Sequence, residues 1–63
     1  MFIGASVKFL TKHGDEKTGK IVRVYPAFEG GMRVILETSD GKQYRCVPEV
    51  TEDKRTLLRE YVV

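Results

Sequence analysis

The sequence predicts an all-β fold, and three observations carry that reading. Turn signals recur at short, even spacing, at His13-Gly14-Asp15, residues 26–31, Ser39-Asp40-Gly41 and Pro48-Glu49. The segments between them, residues 5–10, 18–25, 32–38 and 42–47, are each rich in Val, Ile, Phe or Tyr, the residues that fit a pleated, half-buried surface. All four are shorter than the length at which a helix becomes stable.

Each segment then has to choose a face. In the first, Ala5, Val7 and Phe9 alternate with polar neighbours and point inward. In the second, alternation sends Val22 and Val24 inward and Ile21, Arg23 and Tyr25 outward. The third and fourth are joined by Ser39-Asp40-Gly41, where loop length decides the register. A two-residue loop places Leu36 beside Arg45 on one face. A three-residue loop, a type I turn followed by Gly41 in the left-handed conformation, shifts the pairing by one. It gathers Met32, Val34, Leu36, Tyr44 and Cys46 on one side and Arg33, Ile35, Glu37, Gln43, Arg45 and Val47 on the other. The three-residue loop is the one expected.

Residues 50–63 leave two readings open. Thr51 followed by Glu52 and Asp53 resembles a helix start, and Leu57, Leu58, Tyr61 and Val62 then share a helical face. Against a helix, Arg55 and Arg59 repel one turn apart and the ending Tyr-Val-Val favours a strand. The alternatives are five strands, or four strands and a short C-terminal helix.

Smallness sets most other limits. A 63-residue chain is a single domain, 1–63. Its one core buries about 60% of the unfolded surface and supplies no more than about 3–5 kcal/mol. One cysteine cannot form an intrachain disulfide, and one histidine with one cysteine falls short of a structural zinc site, so neither metal nor cofactor is expected. The formal charge of +2 comes from 11 basic and 9 acidic residues and is not strongly basic. The basic excess lies in residues 1–25, with five bases against two acids. Without an apolar stretch of membrane-spanning length or a leader-like start, and with a lone thiol, the chain reads as a cytoplasmic protein with no membrane role.

The layout resembles the SH3-like small barrel over almost the whole chain. Within that group, Gly4-Ala5-Ser6-Val7-Lys8-Phe9 followed by Gly19-Lys20-Ile21-Val22-Arg23-Val24 looks like the KOW type. That resemblance implies a five-stranded barrel with a long first loop, and contact with RNA or polymerase in ribosomal or transcription-elongation machinery.

Catalysis is not expected. Cys46 alternates with Tyr44 on the core face and reads as a small buried hydrophobe, while His13 lies in a loop. Asp15 and Glu16 are adjacent and diverge in an extended segment, so they form no acid–base pair. The residues that suggest binding are Arg23, Arg33 and Arg45, interleaved on the outer face with Ile35 and Val47 and flanked by Tyr25 and Phe28. Guanidinium forks suit phosphate, and aromatic rings suit bases. The expected partner is nucleic acid or a nucleoprotein complex. The alternative is a protein–protein interaction or inhibitor module of the phage or plasmid type, including a homodimer. Three other fates compete for the same face: cover by Leu57 and Leu58, self-association, or pairing of the arginines with Glu37. Phe28, which follows Pro26, is expected to plug an open barrel end.

Overall fold

The structure, a computed structural model, describes residues 3–61. Five strands, β1 (Ser6–Leu10), β2 (Glu16–Pro26), β3 (Met32–Glu37), β4 (Gln43–Val50) and β5 (Thr56–Glu60), follow one another around a closed barrel. Neighbours in sequence pair antiparallel, and β1 closes on β5 in parallel through Phe9–Leu58 and Leu10–Arg59. The fold is the five-stranded SH3-like barrel. No helix occurs among the described residues, none therefore long and apolar enough to cross a membrane.

The four hairpin turns share one geometry. At Thr11–Asp15, Ala27–Gly31, Thr38–Lys42 and Thr51–Arg55, the first residue's N–H donates to the carbonyl of the fifth, and the fourth residue's N–H donates back to the carbonyl of the first. Positive φ falls on that fourth residue each time: Gly14, Gly30, Gly41 and, alone among them in carrying a side chain, Lys54 at 63°. This is the three-residue loop expected at Ser39-Asp40-Gly41. The register follows, with Val34 opposite Cys46 and Leu36 opposite Tyr44.

The same chemistry decides the C-terminal segment against a helix. Thr51-Glu52-Asp53 repeats Thr38-Ser39-Asp40, and in both the threonine hydroxyl lies against the aspartate two residues on. The Asp40 carboxyl is held below its usual range by that hydroxyl and by the Lys42 N–H. A threonine spaced two from an aspartate serves a tight turn as well as a helix start. Leu57 and Leu58 then fall on opposite faces of a strand, Leu58 buried and Leu57 half-buried. Val62 lies outside the described residues.

Lys54 holds a left-handed conformation that costs an L-residue about 1–2 kcal/mol. Glycine avoids that strain at an unfolded-state entropy cost of about 0.5–1 kcal/mol. Lys54→Gly is expected to raise stability by about 0.5–1 kcal/mol, read as a melting temperature higher by about 4 °C; an unchanged or lower value would contradict this account of the turn.

Inside the barrel lie Phe9, Ile21, Val34, Leu36, Tyr44, Cys46 and Leu58, with Ala5, Val7 and Val24 packed against them. Phe9 and Tyr44 meet with ring centroids 5.0 Å apart at a tilt of 52°. Ile21 corrects the expectation that it faces outward. A β-bulge breaks the β2–β3 register, so that Ile21 opposes Leu36, Arg23 opposes Ile35, and Val22 is left between them without a partner. The extra residue resets the alternation: Ile21 is buried and half-buried Val24 packs against the core, whereas Val22, expected inward, is half-buried and is not part of that packing. A bulge also bends its strand, which suits β2, the longest strand, as it passes from pairing with β1 at its start to pairing with β3 at its end.

Three further expectations change. Pro48-Glu49 is no turn, because β4 runs through both residues, which pair with Leu58 and Leu57, and the chain reverses at Thr51–Arg55 instead. Met32 shares its face with Val34 and Leu36 but stands at the strand's outer end and is exposed. The first loop is short, because β2 begins at Glu16 and Lys17 already pairs with Phe9.

Candidate nucleic-acid interface

With Val34, Leu36, Tyr44 and Cys46 inside, the alternate residues of β3 and β4 form the outer surface, and the register sets them in rows. Arg23 of β2 stands opposite Ile35 of β3, which stands opposite Arg45 of β4. Two residues along, Tyr25 stands opposite Arg33, and on the far side Val47 of β4 faces Arg59 of β5. Strand spacing puts the Arg23 and Arg45 backbones about 10 Å apart, with Ile35 between them. The register thus assembles Arg23, Tyr25, Arg33, Ile35, Arg45 and Val47 on one face.

The rings and guanidiniums on this face are stacked. Arg23 lies over the Tyr25 ring at 5.2 Å, and Arg33 lies over the Tyr61 ring at 4.9 Å. Tyr61 reaches that position because its N–H donates to the Arg45 carbonyl at 3.2 Å, carrying the chain past β5 onto the arginine face. Its phenol pKa is raised, chiefly by a hydrogen bond to Tyr25 and then by burial, while Arg33 and Arg45 pull the other way. Two cation–π contacts thus stand side by side on this face, Arg23 with Tyr25 and Arg33 with Tyr61.

The charges are unevenly matched. Arg33 Nη2 meets Glu29 Oε1 at 2.5 Å, and Arg59 Nε meets Glu49 Oε2 at 3.3 Å. Glu37 faces Lys20 on one side and Gln43 on the other, so it does not take up the arginines as one expectation had it. Among the described residues, no carboxylate oxygen lies within 4.0 Å of the Arg23 or Arg45 side-chain nitrogens.

Phe28 sits at the tip of the β2–β3 turn and is wholly exposed, with 104% relative accessibility. It plugs nothing, because the tight turn that closes with Ala27 and Gly31 carries it away from the barrel end. Nor do Leu57 and Leu58 cover the face, since β5 completes the wall of the barrel beside it. The C-terminal segment contributes the Tyr61 ring instead, a residue that the sequence left open between a helical face and a last strand. Its signal was parity: once residues 56–60 are a strand with Leu58 inside, Tyr61 faces out.

Cys46 is fully buried, and burial, aided by the nearby Glu60 charge, pushes its thiol pKa up to about 12. The thiol is protonated at neutral pH and offers no nucleophile. His13 is exposed on the β1–β2 turn.

Comparison of the chain with protein-family models, with curated proteins and with solved structures finds no match to any of them.

Proposed function

We propose that the chain is a non-enzymatic cytoplasmic binding module that contacts nucleic acid, alone or within a nucleoprotein complex, through the outer face of β2, β3 and β4. One observation carries the reading: Arg23 and Arg45 flank Ile35 without a carboxylate at either, beside two tyrosines already stacked with guanidiniums. Unmatched guanidiniums on a firm sheet offer phosphate a ready fork, and the neighbouring apolar and aromatic groups offer contact to bases or sugars.

Phosphate contacts release counterions, so affinity should fall with salt. With about three contacts, log K is expected to fall against log salt with a slope near −2 to −3. Fluorescence anisotropy of a labelled oligonucleotide across a salt series measures it. No binding at low salt, or affinity flat across the series, would overturn the reading. Alanine at Arg33 and Arg45 should weaken binding more than alanine at Ile35.

The exposure of Phe28 favours a second reading, a protein-interaction or inhibitor module in which Phe28, Ile35 and Val47 form a small apolar hot spot. A protein partner should then survive nuclease treatment in a pull-down, and Phe28→Ala should abolish its capture.

A further inference from the structure

Resting on the nucleic-acid reading, we propose that the ligand is single-stranded and that its unpaired bases stack on Phe28, Tyr25 and Tyr61. Two aromatic residues, Phe9 and Tyr44, fill the core, yet three others lie on or beside the arginine face, one of them wholly exposed. For a barrel whose buried core is so small, aromatic rings left outside forgo stabilisation they would provide inside. A base presents a π face only when it is unstacked from its neighbours, as in a single strand. In a duplex those faces are occupied, and rings on a protein surface meet only sugar and phosphate.

Shape points the same way. Reading paired bases needs an element that enters the major groove, about 12 Å wide, and an α-helix or a two-stranded ribbon fits. Here the residues are spread over three strands, about 10 Å from Arg23 to Arg45 before side chains are counted, so the face lies across a groove rather than in it. The described chain has no helix to serve instead. The guanidiniums of Arg23 and Arg33 lie over tyrosine rings at 5.2 and 4.9 Å, and unpaired bases stack on aromatic rings and guanidinium planes alike. With a barrel 30 × 24 × 23 Å in extent, the site spans about four nucleotides.

The test uses the full chain with a fluorescein-labelled oligonucleotide of about twenty mixed-sequence nucleotides, alone and annealed to its complement, by anisotropy at about 50 mM salt. The single strand is expected to bind at least about ten-fold more tightly than the duplex. Because the chain has no tryptophan, tyrosine emission is visible and should be quenched as the strand binds. Phe28→Ala, at a position with no packing to lose, should weaken single-strand binding about five-fold or more, and Tyr61→Leu likewise, with the salt slope unchanged. Equal affinity for duplex, or full affinity in Phe28→Ala and Tyr61→Leu together, overturns the single-strand inference alone. Binding to neither probe overturns the nucleic-acid reading with it.

Discussion

Valine at position 19 is expected to leave the chain unfolded at 25 °C. Gly19 stands opposite Val7 in the β1–β2 ladder and is buried, with its missing side chain directed into the barrel. A Cβ there would lie 3.1 Å from the Phe9 ring, 3.3 Å from the Leu36 Cβ and 3.4 Å from the Glu37 carbonyl oxygen. Phe9 and Leu36 are both fully buried, and the Phe9 ring is held against Tyr44, so neither retreats without disturbing the rest of the core. Alanine, the mildest change, forces a shift of a few tenths of an ångström and should cost about 1–3 kcal/mol. Valine adds two more methyl groups to the same contact, and a core this size holds only about 3–5 kcal/mol in reserve. Two measurements check the outcome: loss of the cooperative thermal transition in circular dichroism, and exposure of Cys46. In the native barrel the Cys46 thiol is buried and protonated, so it should react with a thiol reagent only through unfolding, whereas in Gly19→Val it should react at the rate of a free thiol. A Gly19→Val chain that melts with the parent would show that the β1–β2 ladder is looser than these distances imply.

Gly19 also marks the boundary of what was legible beforehand. It looked like part of a KOW-like run, but nothing in its local sequence announced that Phe9, ten residues earlier, would lie on it. The β3–β4 hairpin was readable because its constraint is local: one loop length separates core from charge along two strands, and Gly41 supplies the required left-handed conformation. The same turn recurs at residues 51–55 without its glycine, and so Thr51-Glu52-Asp53 read equally well as a helix start. The bulge at Val22 was hidden for a different reason. Ile21, Val22 and Val24 are all aliphatic, and strict alternation allows only one parity, whereas the strand inserts a residue so that it bends and keeps Ile21 and Val24 both inside. Most of the candidate site lies beyond the bulge or on the readable hairpin, and its parity survived. Arg23, Tyr25, Arg33, Ile35 and Arg45 came together as expected, while Tyr61 depended on a strand pairing that sequence left open.

The double charge reversal Arg23→Glu with Arg45→Glu is expected to lower affinity for a single-stranded oligonucleotide by about a hundred-fold at low salt and to flatten the salt slope from about −2 or −3 to about −1 or less. Removing two of about three phosphate contacts accounts for the slope, and two carboxylates aimed at the same phosphates add repulsion to the lost attraction. Folding should change by about 1 kcal/mol or less, since both side chains are exposed, neither is paired with a carboxylate, and Arg23 gives up only its exposed contact with the Tyr25 ring. Ile35→Ala should behave in the opposite way. Ile35 is half-buried between the two arginines, so truncation removes packing and lowers the melting temperature, yet it removes no charge and should keep the slope. That contrast separates a binding surface from a structural one. Two like charges held about 10 Å apart over an apolar residue repel only weakly, so their reversal should register in binding far more than in folding. Wild-type affinity in the charge-reversed protein, with its fold intact, would place the contact elsewhere on the barrel.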